Sequence, residues 1–258
     1  MANALWVWGA AARAGASVLL RIEDHDRQRS RSAFDTAILE DLAWLGFVAD
    51  EGPVRQTDGD ARSAHEAALE RLRAGGLVYA CRCTRETFAA WAREHGGPWA
   101  GAGCPGGCRE LALPEDAAAS LRVALGAGTE SFDDLLLGQR TEEPAARGDL
   151  VIRDRERNWT YGFAVVVDDL RQGIDLVVRG ADLLDETARQ IRLGKLLGRE
   201  VPPAWLHHPL IRKASGAKLS KSDGDTGVRD LRAAGWSPAA VRAEAARLGG
   251  LPAAWRDA

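Results

Sequence analysis

The stretch "IDLVVRGADLLDETARQI", residues 174–191, decides the fold class. Within it, the spacing of apolar residues changes from one typical of a strand to one typical of a helix. Its first seven residues are mostly apolar and rich in valine, which predicts a short buried strand. Asp182 is then well placed to cap a helix, and apolar residues follow at helical spacing: Leu184, Ala188 and Ile191. A strand that runs directly into a helix is the repeating unit of parallel α/β sheets.

The same alternation appears at both ends of the chain. Helices are predicted over 3–14, from about Phe34 to Gly46, over 60–74 and after Ser237-Pro238, and strands over 17–23, 77–83, 120–125, 149–154 and 205–213. The helix that begins near Phe34 places its apolar residues on one face: Phe34, Ile38, Leu42 and Leu45. The pattern predicts a doubly wound α/β nucleotide-binding fold that is interrupted by an inserted smaller module.

We expect four segments. Residues 1–80 form the first part of a nucleotide-binding domain, and 81–148 form the inserted, cysteine-bearing module. Residues 149–225 form the second half of the domain, and 226–258 form a helical end.

The composition excludes several classes of protein. The chain has 258 residues, of which 46% are hydrophobic, and a formal net charge of −3, so it is long enough to bury a core and is no basic nucleic-acid coat. Four cysteines are too few for a disulfide scaffold. No apolar stretch reaches the length of a membrane span, and the amino-terminal residues lack the basic region of a signal peptide. We expect a cytoplasmic protein.

The cysteines form two close pairs, Cys81-x-Cys83 and Cys104-x3-Cys108, separated by 20 residues. Two short-spaced pairs of thiolates are typical of a closed, tetrahedral structural zinc site, and the glycines around the second pair permit tight turns. Buried free thiols or a disulfide remain the alternatives.

Charged side chains follow two of the predicted strands at their carboxyl ends, where α/β folds place ligand groups. Glu23, in "LRIEDHDRQR" (20–29), could receive a substrate ammonium group or belong to a solvated turn. Arg179 could grip a carboxylate, or pair with Asp182 or with Asp168 and Asp169. His207 and His208 fall within a predicted strand, where packed, hydrogen-bonded histidines are the ordinary case.

The loop "GAKLSKSDGD" (216–225) carries Lys218 and Lys221, two of only four lysines in a chain with 30 arginines. A compact ammonium group suits a phosphate chain whose charge moves during a reaction. A solvated polar turn is the alternative.

Four stretches, "LRIEDHD", "YGFAVVVDD", "LVVRGADLLDETARQ" and "KLSKS", occur in this order over nearly the whole chain, which therefore resembles class I glutamyl-tRNA synthetases. The resemblance implies a class I synthetase catalytic fold in which ATP, with Mg²⁺, activates L-glutamate. It also implies site residues: Glu23, Tyr161 and Arg179 for glutamate, Lys218 and Lys221 for catalysis, Lys221 and Ser220 for ATP, and Cys81, Cys83, Cys104 and Cys108 for structural Zn²⁺. The family often has a tyrosine as its third zinc ligand, so Cys104 is a departure.

The chain ends 36 residues after Ser222 and opens its cysteine module on C-x-C, which makes it similar to the short glutamyl-Q tRNA(Asp) synthetase branch. That branch attaches glutamate to queuosine in the anticodon of tRNA(Asp), so the resemblance implies this tRNA as a partner and no membrane. We expect a monomer.

One departure concerns the amino-terminal end. The family begins with a strand and a histidine signature for the nucleotide, whereas the earliest histidine here is His25. We expect that Met1 is not the true start, that the 258 residues as written lack the first strand, and that they are inactive in ATP-dependent activation. Two alternatives are the catalytic part of a protein-synthesis glutamyl-tRNA synthetase and a non-catalytic, zinc-bearing tRNA-binding remnant.

Overall fold

The computed structural model describes residues 1–25, 31–116, 118–211, 227–252 and 255, and side chains for all of these except Ser32. Its helices are α1 (Ala2–Ala14), α2 (Ser32–Trp44), α3 (Gly59–Ala74), α4 (Arg85–His95), α5 (Tyr161–Arg171), α6 (Thr187–Leu196), α7 (Val228–Ala233) and α8 (Pro238–Leu248). Its strands are β1 (Leu19–Ile22), β2 (Glu51–Arg55), β3 (Val78–Cys81), β4 (Ser120–Val123), β5 (Glu130–Asp134), β6 (Gly138–Glu142), β7 (Leu150–Arg153), β8 (Leu176–Gly180) and β9 (Ala204–His208). Two 3₁₀ segments, Pro144–Ala146 and Ala181–Glu186, complete the description.

The strands form three sheets. β1 and β2 are parallel, and in the second sheet, ordered β6-β5-β9-β8, β9 runs parallel to both β5 and β8. The third sheet, β3-β4-β7, is entirely antiparallel and comes from the middle of the chain. Parallel pairs at both ends with a different module between them agree with the predicted α/β class.

The central sheet unites strands on both sides of the predicted insert. β3 begins at Val78 and β7 begins at Leu150, so the sheet extends beyond the proposed 81–148 boundaries at both ends. The division into segments stays a prediction.

Helix ends follow local chemistry. α1 ends where Gly15 adopts a left-handed conformation with φ of 63°, which glycine reaches without a steric penalty. α8 begins at Pro238 after Ser237, whose hydroxyl accepts a hydrogen bond from the backbone N–H of Ala240. Both ends were predicted from the sequence.

The predicted cap at Asp182 is wrong. Asp182 lies inside the 3₁₀ segment, and the helix that carries Ala188 and Ile191 begins only at Thr187. The 3₁₀ segment follows β8 directly, and within it the carbonyl oxygen of Leu183 accepts a hydrogen bond from Arg179.

Two large apolar clusters and two smaller ones lie among the described residues. One of the large clusters packs α3, α5 and α6 against β4 and β7, and its fully buried members include Leu69, Ile152 and Phe163. The other packs α1 and α8 against β9, around Trp6, of which 1% is exposed. The predicted apolar face of α2 is buried only at its end, because Leu45 is 2% exposed whereas Phe34 and Ile38 are 56% and 45% exposed.

Candidate active site

A cleft of about 1250 Å³ separates β1 from β8. In the described residues each of these strands has a neighbour on one side only, so the other edge of each strand borders the cleft. Glu23, Tyr161 and Arg179, which the sequence predicts to contact glutamate, all line it.

Glu23 follows β1 directly and turns its carboxylate into the cleft. Of its side-chain surface, 41% remains accessible. Burial within the cleft raises the pKa of Glu23 above its ordinary value, and the charge of Arg21 opposes this shift. One guanidinium nitrogen of Arg21 lies 3.7 Å from the Glu23 carboxylate and 2.9 Å from that of Asp169.

Arg179 ends β8 and is only 5% exposed. Its donors bond neutral groups: the Nε2 atom of His207 at 3.0 Å, Oε1 of Gln190 at 2.6 Å, Oγ1 of Thr187 at 2.8 Å and the Leu183 carbonyl oxygen at 3.2 Å. The guanidinium also stacks over Trp205, 4.7 Å from the ring centroid. No described carboxylate forms an ion pair with Arg179, so the predicted alternative of a pair with Asp168, Asp169 or Asp182 is not found among the described residues.

The charge of Arg179 is therefore buried without a direct ion pair among the described residues, and Asp169 and Glu186 act on it only from a distance. Burial lowers the pKa of Arg179, and interaction with Tyr161 offsets part of that effect. Four of its five N–H groups bond neutral partners, and Arg179 also forms a side-chain hydrogen bond with Tyr161. A buried cation of this kind favours an anionic ligand, because a buried charge is costly until it is paired.

Tyr161, the first residue of α5, lies between these charges. Burial raises the pKa of its hydroxyl group; Arg179 opposes the shift, and Glu23 adds to it. The Tyr161 ring centroid lies 6.4 Å from that of His25. The cleft therefore offers an acid at one strand end, a phenol between, and a guanidinium at the other strand end, which suits a ligand with both an ammonium group and a carboxylate.

A second layer of residues holds Arg179. His207 is fully buried, and because its Nε2 atom accepts from Arg179, its Nδ1 atom carries the hydrogen and donates to Asp134 at 2.6 Å. Burial lowers the pKa of His207, and the hydrogen bond to Asp134 opposes that shift. His208 is also buried and bonds the Pro209 carbonyl and the Asn3 side chain. Both histidines are packed and bonded, as the sequence predicts.

The four cysteines form a separate cluster, hereafter the cysteine cluster, at the end of β3 and in the loop after α4. Their sulfur atoms all lie within 4.8 Å of one another, and none is disulfide-bonded. The Sγ atoms of Cys83 and Cys108 are 3.7 Å apart, which matches the edge of a tetrahedron whose metal–sulfur bonds are about 2.3 Å. At Gly106 a Cβ atom would lie 2.7 Å from the Cys83 sulfur, so only glycine fits there.

Burial raises the pKa of the Cys104 thiol to about 11 and raises that of Cys83 as well. Hydrogen bonds from the Arg82 backbone and the neighbouring thiols lower the pKa of Cys108, so the shifts differ across the cluster, and a divalent cation would supply the counter-charge for the thiolates at Cys83 and Cys104. The donor set fits a structural zinc ion.

The lysine loop lies outside the described residues. This applies to Lys218, Ser220 and Lys221, whose predicted roles toward ATP stay predictions. The sequence analysis assigns no role to Arg21, Thr187 or Gln190, which contact Glu23 or Arg179, or to Asp134, which meets His207 from 73 positions away. Only Arg21 carried a local signal, because it lies two residues before Glu23 and thus on the same side of the strand.

The described helices include none with the length and apolar character of a membrane span.

The sequence model of the family "tRNA synthetases class I (E and Q), catalytic domain" matches residues 2–257. A glutamyl-Q tRNA(Asp) synthetase of Symbiobacterium thermophilum is 42% identical over 96% of this chain and 81% of its own length. A glutamate–tRNA ligase 2 of Acidithiobacillus ferrooxidans is 39% identical over 96% of this chain and 54% of its own length.

Among solved structures, a glutamate–tRNA synthetase from Elizabethkingia anophelis superposes with a TM-score of 0.72 at 26% sequence identity and covers 87% of this chain. A glutamate tRNA ligase from Elizabethkingia meningosepticum, in complex with its amino acid, gives a TM-score of 0.71 at 27% identity. The chain spans about half the length of these two solved chains. The match to the family model over almost every residue, with relatives near 40% identity, shows that the chain belongs to the class I tRNA synthetase (E and Q) catalytic-domain family, whose members are enzymes of the tRNA-ligase type.

Proposed function

We propose that the protein activates L-glutamate with ATP and transfers the glutamyl group to queuosine in tRNA(Asp). The observation that carries the proposal is that a buried Arg179, with no ion pair among the described residues, lies across one cleft from Glu23. Arg179 would attract a carboxylate of glutamate through its buried charge, with the Tyr161 hydroxyl beside it, while Glu23 would bind the ammonium group. Two relatives named glutamyl-Q tRNA(Asp) synthetase, of which the match covers 81% and 82%, support the choice of tRNA.

In the activation step, a glutamate carboxylate oxygen would attack the α-phosphorus of ATP. An oxygen–phosphorus bond forms in glutamyl-adenylate. The bond between the α-phosphorus and the oxygen that bridges to the β-phosphate breaks, and pyrophosphate leaves with that electron pair. Lys218 and Lys221 would stabilise the charge that develops, with Ser220 beside the triphosphate. The cysteine cluster would hold Zn²⁺ as a structural ion that fixes the module and takes no part in this step.

A test separates this proposal from its alternatives. Glutamate binding is measured by calorimetry against aspartate, whose shorter side chain does not span the ammonium and carboxylate contacts together. Glutamate-dependent ATP–pyrophosphate exchange and acylation of queuosine-containing tRNA(Asp) are then compared with acylation of tRNA(Glu). Acylation of tRNA(Asp) alone supports the proposal. Equal binding of aspartate and glutamate would refute it.

The second candidate is the catalytic part of a protein-synthesis glutamyl-tRNA synthetase, which the similarity to the Acidithiobacillus ferrooxidans ligase favours. Acylation of tRNA(Glu) alone would establish it. Absence of both glutamate binding and exchange would instead favour the non-catalytic remnant.

The lysine loop has its own test. Lys221→Ala should slow pyrophosphate exchange far more than it weakens glutamate binding, because the lysine's best contacts form as charge develops on the leaving group. Lys195→Ala, a lysine on the described helix α6 that pairs with Glu130, is the control. Equal losses in rate and binding would point to a ground-state role.

A further inference from the structure

A buried chain of hydrogen bonds leads from the interior of the protein to His25 at the cleft. It begins at Asp168 in α5, whose side chain is fully buried. The carboxylate lies 2.9 Å from Nε2 of Gln56 and 3.3 Å from Nε2 of His65. At its other end, Oε1 of Gln56 lies 2.6 Å from Nδ1 of His25.

The direction of these bonds is fixed by the carboxylate. Burial alone would raise the pKa of Asp168, but the hydrogen bonds from His65 and Gln56 outweigh it and lower that pKa, so the group is ionised. An ionised carboxylate only accepts hydrogen bonds. Gln56 must therefore turn its NH₂ group toward Asp168 and its carbonyl oxygen toward His25.

The orientation of Gln56 in turn fixes the tautomer of His25. A carbonyl oxygen only accepts, so Nδ1 of His25 carries the hydrogen. In a neutral imidazole with the hydrogen on Nδ1, the Nε2 atom holds a lone pair and is an acceptor. No described residue forms a hydrogen bond with this Nε2 atom.

The backbone directs that acceptor toward the ligand site. Glu23 and His25, on either side of Asp24 in the chain, both line the cleft. Asp24 points to the other side, where it is bonded by Thr57 and Arg55. The His25 ring lines the cleft, and Nε2 lies on the side of the ring away from Gln56.

We propose that His25 is a further substrate-binding residue, whose Nε2 atom accepts a hydrogen bond from the ammonium group of the amino-acid substrate, and that Gln56 is the residue that positions it. The inference rests on the proposed function. An ammonium group has three donors, of which Glu23 takes at least one, so an adjacent neutral acceptor satisfies a second. The opposite tautomer would present an N–H group to the ammonium and repel it. His25 would thus select an amino acid over the same acid without its amino group.

The tautomer is measured first, in the unmodified protein. In ¹⁵N NMR spectra of histidine-labelled protein at alkaline pH, where imidazoles are neutral, we expect His25 to carry its hydrogen on Nδ1. Gln56→Met should shift His25 toward a mixture of tautomers, since the fixed acceptor is gone. A hydrogen on Nε2 of His25 in the unmodified protein overturns the inference without reference to any activity.

The contact is tested with glutamate and with glutarate, which lacks only the amino group. His25→Asn keeps a polar atom near Nδ1 and removes Nε2, whereas His25→Gln retains an acceptor near the Nε2 position. We expect His25→Asn to reduce the preference for glutamate over glutarate about tenfold or more, which corresponds to one hydrogen bond to a charged group, with glutarate affinity unchanged. His25→Gln should keep most of the preference.

The outcomes distinguish a failure of the His25 inference from a failure of the proposed function. If His25→Asn weakens glutamate and glutarate equally, or weakens neither, His25 has only a structural role and the inference is wrong while the proposed function stands. If the unmodified protein binds neither glutamate nor glutarate, both are wrong.

Discussion

Asp134 is the acceptor on which the Arg179 end of the cleft depends, and its replacement by asparagine tests the packing directly. The side chain is fully buried. Oδ1 accepts from the backbone N–H groups of Leu136 and Leu137 at 3.0 and 2.9 Å, and Oδ2 accepts from the backbone N–H group of His207 at 3.1 Å and from its Nδ1 at 2.6 Å. All four partners are donors, so every acceptor position on the carboxylate is used.

Asparagine replaces one oxygen atom by an NH₂ group. In either orientation that group faces two donors, which then lack an acceptor. A buried donor without a partner costs about 1–3 kcal/mol, so Asp134→Asn should lower the free energy of unfolding by about 2–6 kcal/mol. If the hydrogen of His207 moved from Nδ1 to Nε2, Nδ1 could accept a hydrogen bond from the new NH₂ group. The Nε2–H group would then face the N–H of Arg179 at 3.0 Å, and neither donor would have an acceptor. The loss should therefore stay at about 2 kcal/mol or more, and glutamate affinity should fall with it.

Chemical denaturation followed by circular dichroism measures the change in stability, and calorimetry measures glutamate affinity. Asp133→Asn is the matched control, because Asp133 is the exposed neighbour on the same strand. We expect it to change stability by no more than about 0.5 kcal/mol. If the two variants are equally stable and bind glutamate alike, the assigned hydrogen bonds do not hold Arg179.

Three further predictions concern the site. Arg179→Ala should weaken glutamate binding by about 2–5 kcal/mol, since it leaves the substrate carboxylate without its partner; unchanged calorimetric affinity would refute the assignment. Glutamate affinity should decrease as the pH falls through the raised pKa of Glu23, because only the carboxylate binds an ammonium group, and Glu23→Gln should weaken binding and remove this pH dependence. Protein purified without chelators should contain one zinc ion per chain, held by the cysteine cluster, and Cys83→Ser should release it while α3, α5 and α6 stay folded; metal analysis that finds no zinc would contradict this.

Local patterns in the sequence predict much of the fold. The apolar spacing and the terminal glycine predict α1, and the valine-rich run predicts β8, because burial on one or both sides leaves a direct trace in the residues. The β5–β6 hairpin was missed because its strands carry mostly polar residues, with Phe132 as the single large apolar side chain. β2 was missed because it contains Gly52-Pro53, a pair that usually argues against a strand.

Some residues of the candidate site also have a local signal in the sequence, and others do not. Glu23 and Arg179 could be predicted because a charged residue at the carboxyl end of a buried strand is a local signal. Asp134 and Gln56 could not, since each is joined to its partner only by the tertiary fold: Asp134 meets His207 from 73 positions away, and Gln56 meets Asp168 from 112 positions away.

The buried charge of Arg179 also has a consequence for protein engineering. A buried cation held only by neutral partners makes the empty protein less stable than its packing alone would allow, and a bound anion restores part of that stability by mass action. A library selected for heat resistance in the absence of ligand should therefore accumulate substitutions at Arg179 and its neighbours that remove or neutralise this charge, at the expense of binding. The same selection carried out in saturating glutamate should retain the arginine, because stability and recognition then favour the same residue.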